Sequence, residues 1–220
     1  MGAVTVVVLG EGAGDLGGEA ETYGPPVPRA PLLNDALGPA HLLIRRALVH
    51  ARDLPEASVQ FERPLLLGTG REARGSDLLV SKRLGQLLTY PPVSNRPSPH
   101  LAVLLVDEDG ESGRRADLHN AVPQSASGPL VVVAVAVREF ESWLISDPQA
   151  CKQLGLSDPP NAPEGLDPGE AKAWLSEQAT QDKKATRRDL ACTIDLEKAT
   201  ERCPSLQELI QSLGSVLDLS

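Results

Sequence analysis

Two short stretches carry acids in patterns suited to cation chemistry. In LAVLLVDEDGESGRR, residues 101–115, an apolar run long enough for one buried strand ends abruptly in Asp107-Glu108-Asp109-Gly110. Residues two apart point the same way along a strand, and where the chain turns at its carboxyl end two carboxylates one residue apart can converge on one point. Converging carboxylates repel each other and titrate upward unless a cation sits between them. A hard divalent ion such as Mg2+ or Mn2+ is the usual solution. The N-terminal stretch AVTVVVLGEGAGD repeats the design, with an apolar strand, Glu11 in a glycine frame and then Asp15. A third acidic pair, Glu139 and Glu141, comes after the apolar run Leu130 to Val137. Each also has a plainer reading. Asp107 and Asp109 can cap a turn before Gly110, Glu11 can be an exposed loop residue, and Glu139 and Glu141 can favour the positive end of a following helix.

The elements that must position these acids read as an α/β pattern. Val4 to Leu9 is β-branched without alternation, as expected of a strand covered on both faces. Residues 10–38 carry many Gly and Pro and cannot be one regular element. Gly38 to Asp53 has helical spacing with Pro39 near its start. A second strand is expected over Ala57 to Leu67, weakened at Pro64, and an amphipathic helix over Gly75 to Tyr90 capped by Ser76 or Asp77. The Leu101 strand, a short helix over Arg114 to Val122 and the Leu130 strand come next, then a helix from about Arg138 to Leu154. The fold expected is therefore α/β, a mainly parallel sheet of about four strands with helices on both faces. Ligands of such sheets bind at the carboxyl ends of strands, which puts the three acidic clusters on one rim. Residues 1–154 would form this core. Residues 155–220, beginning with the linker-like SDPPNAPEGLDPG, would form a C-terminal α-helical annex packed on it, with helices over Gly169 to Glu177, Asp182 to Ala191 and Leu206 to Leu217.

A formal net charge of −9 argues against coating nucleic acid or anionic membrane through bulk charge, though a local basic channel remains compatible with it. Cys151, Cys192 and Cys203 are odd in number and lack zinc-ligand spacing, so reduced, buried thiols are expected. The run Val4 to Leu9 is too short to span a membrane and lacks the basic flank of a signal peptide. A cytoplasmic protein is expected. Trp143 and Trp174 read as core packing, and the four scattered histidines suggest no chemistry.

The combination of a glycine-framed Glu after strand one, an Asp-x-Asp after a later strand and an α/β sheet around them resembles the Toprim domain of topoisomerases, primases and overcoming-lysogenization-defect nucleases. More closely, GEGAGD, LLVDEDGE, VREFESWLISD and RRDLACTIDLEKATERCPSLQELI resemble an uncharacterised bacterial Toprim-like family, domain of unknown function four-two-seven-six. The resemblance implies that Glu11 is the Toprim glutamate, that Asp107 and Asp109 are the Asp-x-Asp metal ligands, and that Asp15 is the acid used alongside the Glu. It also implies that Glu139 or Glu141 fills the acidic position after the next strand. Those nucleases place a lysine further on, and Lys152, Lys183 and Lys184 all stand in range. The family context further implies an ATPase partner in genome defence.

If Glu11, Asp15, Asp107, Asp109 and Glu141 hold two ions, phosphodiester hydrolysis of DNA or RNA results, one metal activating water and the other neutralising the leaving oxygen. Arg71, Arg74, Arg114 and Arg115 lie near the candidate loops and could bind phosphate as bidentate forks. Two other functions compete: a catalytically silent Toprim-like binding or regulatory subunit, and a small-molecule phosphatase. A dinucleotide fingerprint fails because Asp15 stands where its third glycine belongs. A calcium loop fails because DEDGES lacks the glycine at the sixth place.

Overall fold

A computed structural model of the chain describes residues 3–10, 13–17, 29–68, 73, 75–89, 97–111, 113–123, 128–178 and 183–216. Four parallel strands, β1 (Val4–Gly10), β2 (Val59–Phe61), β3 (Leu101–Asp107) and β4 (Leu130–Ala136), form one sheet in the order β2-β1-β3-β4. In β1, β3 and β4 successive residues fall alternately into two cores. Val6, Val103 and Val132 face one side, and Val7, Leu104 and Val133 the other. Both faces being covered, each strand reads as an unbroken apolar run, the expected signature of a parallel sheet between helical layers.

On one face lie α3 (Gly75–Leu78), α4 (Ser81–Leu88) and α5 (Arg114–Ala121), which contribute Leu78, Leu84, Leu87 and Leu118. The other face carries α2 (Pro39–Arg52), α6 (Phe140–Leu144), α7 (Pro148–Gln153) and the C-terminal α8 (Glu170–Gln178), α9 (Lys183–Thr193), α10 (Leu196–Arg202) and α11 (Pro204–Val216). A short helix, α1 (Ala13–Leu16), comes after β1. Leu206, Leu209 and Leu213 of α11 are buried in the same core as Val132 and Leu43, so the last helices complete one face of the sandwich. Trp143 is fully buried, with its indole N–H donating to Ser205 Oγ at 2.7 Å, which ties α6 to α11.

Several expected elements are shorter or broken, each for a local reason. The expected helix 138–154 is two helices, because Pro148 has no N–H to continue α6 and Asp147 caps a new start through Gln149 N–H at 2.9 Å. The same carboxylate accepts from Asp195 N–H at 2.9 Å, fixing the start of α10 beside α7. The expected helix 75–90 breaks at Val80, whose backbone is extended. Asp77, instead of capping, is buried and receives Arg83 at 2.6 Å. The second strand shrinks to three residues, with Glu62 then bridging to Pro31. Helix α10 is absent from the elements expected from sequence, although Asp195 accepting from Glu197 and Lys198 N–H is an ordinary N-cap. Cys151 and Cys203 are buried, and burial first of all pushes their thiols up to about 11 and about 12, which makes them inert. Cys192 departs from expectation and is exposed. No helix among the described residues is long and apolar enough to cross a membrane.

Candidate functional site

In the strand order β2-β1-β3-β4 the chain moves outward in one direction after β1 and in the other after β3. The carboxyl ends of β1 and β3 therefore flank the topological switch point, where open parallel sheets bind ligands. Gly10, the last residue of β1, is in register with Leu105, and Asp107, the last of β3, with Ala136. Glu11 lies outside the described residues, but the strand leading to it ends beside the strand leading to Asp107. The rim thus gathers the carboxyl-end segments of three strands far apart in sequence.

The two carboxylates of the Asp-x-Asp pair meet different partners. Asp107 Oδ1 accepts the Phe140 N–H at 2.8 Å, so a carboxylate at the end of β3 fixes the first turn of α6 after β4. Asp109 has a left-handed backbone, φ 51°, and its half-exposed carboxylate turns to Arg114 at 2.9 Å. Arg114 also donates to Asp107 O at 2.6 Å and lies 3.3 Å from Glu111. Asp109 therefore fits the plainer role of a turn residue, and Arg114 is occupied in holding that turn.

The acids after β4 converge more closely. Glu139 is buried and accepts the Lys172 N–H at 2.6 Å, while Glu141 is fully buried on α6. Among the described residues neither Glu141 oxygen receives a directed hydrogen bond. Its charge is balanced by Arg187, in direct ionic contact, and by Lys172 Nζ at 4.0 Å. The other terminal nitrogen of Arg187 lies 3.4 Å from Asp15 on α1. Burial disfavours the Lys172 ammonium, but Glu141, then Asp107, Asp15 and Glu139, outweigh it and hold the group above the usual lysine value. Burial raises Glu139 above the usual carboxyl range, and the charge of Glu141 adds to it. Acids from the ends of three strands thus share two cations carried by the C-terminal helices.

Asp15 reaches the site because α1 packs against the start of α2. Gly38 allows this: a Cβ there would stand 2.5 Å from Asp15 O and 2.5 Å from the Leu16 carbonyl carbon.

Of the expected phosphate ligands, Arg71 and Arg74 lie outside the described residues. Arg115 points to the β4 edge, 2.5 Å from Glu208. Of the candidate lysines, Lys152 is exposed on α7, and the side chains of Lys183 and Lys184 lie outside the description. Lys172 and Arg187 were missed. Arg187 sits in the RRDLACTI segment that carried the family resemblance, whereas Lys172 has no sequence signal, because only the folding of α8 over the rim brings it there.

Among the described residues, no group of three or more His, Cys, Asp or Glu side chains forms a ready metal centre. The donor chemistry nevertheless suits a hard divalent ion, being all carboxylate oxygen and including the buried Glu141, whose charge is met by ionic contacts with Arg187 and Lys172. Such an ion would take over the charge balance that Lys172 and Arg187 now supply. A family model described as "Domain of unknown function (DUF4276)" matches residues 32–214. No curated protein and no solved structure matches the chain.

Proposed function

The chain belongs to the DUF4276 family, and from the resemblance of its own acidic motifs to those of Toprim nucleases we propose that it hydrolyses phosphodiester bonds with Mg2+ or Mn2+. The observation that carries this reading is the convergence of Asp15, Asp107, Glu139 and Glu141 on Lys172 at the switch point of the sheet. Asp15, Asp107 and Glu141, with Glu11, are the residues that would hold the metal, and Asp109 would join them only by leaving Arg114. A bound divalent ion lowers the pKa of a water and neutralises the leaving oxygen.

The chain's own groups have separate tasks. Phe140 N–H fixes the Asp107 carboxylate, and Arg187 fixes Glu141 against Asp15. Lys172, held protonated, is placed to hydrogen-bond a phosphate oxygen or to give its proton to the departing alkoxide. DNA or RNA backbone is the proposed substrate, with an ATPase as proposed partner. A reducing cytoplasm suits the free thiols. The test is cleavage of supercoiled plasmid in Mn2+ by wild type, Asp107→Ala and Glu141→Gln. Cleavage by wild type alone supports the reading, whereas equal cleavage by all three, or by none with or without a partner, removes it.

A second reading, a silent binding subunit, is favoured by the same two cations, since Lys172 and Arg187 already neutralise the acids. Calorimetric Mn2+ titration separates the two. A scaffold gives the same trace for wild type and Asp107→Ala.

A further inference from the structure

We infer that Arg138 is an anion-binding residue of this rim, its guanidinium taking a phosphate group of the substrate, an inference that rests on reading the rim as a phosphoester site. Arg138 lies directly after the bend at the end of β4 and is partly buried. Its backbone is left-handed, φ 68°, and its carbonyl accepts the N–H of Asp109, itself at φ 51°. Two side-chain-bearing residues thus hold a conformation that L residues disfavour, one beside the other, at the carboxyl ends of β3 and β4. Strain of this kind gathers where a site requires a fixed geometry.

Its side chain is distinguished by what it lacks. Arg114 is tied to Asp109 and Glu111, Arg115 to Glu208, and Arg187 to Glu141 and Asp15. The Arg138 side chain has no ion pair or hydrogen bond among the described residues, and its Nε is buried without an acceptor. A cation on the acidic rim that pairs with none of the described acids has donors left for a ligand. A Cβ on Gly110 would stand 3.7 Å from Arg138 Nη1 and 3.8 Å from Pro168 Cγ, so the guanidinium borders the bare turn and the loop that leads into α8 and Lys172. Phosphate oxygens match the fork of donors that a guanidinium presents. With a net charge of −9, such a local cation eases the approach of an anionic substrate to the carboxylates.

The test uses the full chain without metal, a fluorescein-labelled single-stranded oligonucleotide read by anisotropy, and inorganic phosphate as competitor. Arg138→Gly removes the guanidinium while suiting the positive φ, so it should melt at or above the wild-type temperature and bind the oligonucleotide roughly tenfold or more weakly. Arg138→Lys, which keeps the charge without the fork and whose side chain suits the left-handed backbone no better than arginine's, should fall between. Displacement of the oligonucleotide by phosphate supports a site that reads the phosphate alone, and failure to displace it supports one that needs the polynucleotide. Wild-type affinity in Arg138→Gly, or no binding of either probe by wild type, overturns the inference. Wild-type affinity in Arg138→Gly together with metal-dependent cleavage by wild type overturns it and leaves the hydrolytic reading standing. Weakened binding in Arg138→Gly with no cleavage by any form does the reverse.

Discussion

Lys172 stands where a metal-dependent mechanism would put positive charge, and the surrounding acids raise its affinity for a proton against the opposing effect of burial. Replacing it by methionine leaves Glu141 with Arg187 alone. Calorimetry should then show Lys172→Met binding Mn2+ more tightly than wild type, while any cleavage falls. Weaker Mn2+ binding would mean that lysine and metal do not compete. Glu139 gives a second prediction, in pH. Burial lifts its folded value above the ordinary 4.5. Between those two values the folded chain binds more protons than the unfolded one, so this group costs stability as pH rises through that window. Glu139→Gln keeps an oxygen for Lys172 N–H and removes the ionisation. Thermal melts should show it more stable than wild type at neutral pH, with the difference shrinking towards pH 4. Lys172 also weakens the fold as pH rises, but in a separate window, since its raised value keeps its contribution present below about 10.5 and lost above its folded value.

At the scale of elements, the site depends on contacts made by backbone as much as by side chains. The start of α2 presses Gly38 against α1 so closely that a methyl group would meet Asp15 O and the Leu16 carbonyl carbon at 2.5 Å. Both obstacles are main chain and cannot swing aside. Gly38→Ala should therefore lower stability by about 1–3 kcal/mol, as overpacking does, and displace Asp15 from Arg187. Denaturant unfolding gives the first effect, and a weakened Mn2+ isotherm the second. An alanine variant as stable as wild type would show that α1 moves freely. Asp147 binds elements in a different way, since one buried carboxylate caps α7 and holds the first residue of the turn into α10. Much of the C-terminal arrangement passes through it.

For the whole molecule, the C-terminal helices belong both to the core and to the site. Residues such as Leu206 and Leu209 are buried with the sheet, and each such side chain contributes roughly 1.5–3 kcal/mol on burial. Lys172 rides on α8 and Arg187 on α9, which bury Leu175 and Leu190 in that same core. A chain ended after Leu154 would uncover the part of one sheet face that α8–α11 bury and leave Glu141 without either cation. It should show no cooperative melt by circular dichroism and should aggregate, whereas a soluble, cooperatively melting fragment would show that residues 155–220 are dispensable for the core.

The linear pattern was sufficient for the class of fold, because a strand buried on both faces must be apolar throughout and these runs alternate with helical spacing. It also located the acids after the strands, since a carboxylate that ends an apolar run stands out in any single chain. Pro148 could have divided the 138–154 helix in advance, as its missing N–H is a local fact. The tertiary structure alone decided which acids share a cation. Strand order put Asp107 against the Phe140 N–H at the start of α6, and the folding of α8 and α9 over the rim supplied Lys172 and Arg187. Those partners are separated from the acids by long stretches of chain and belong to helices whose own spacing reports only which face is buried. Charge complementarity between distant segments leaves no periodic mark in sequence. It comes into being when the packing brings them together.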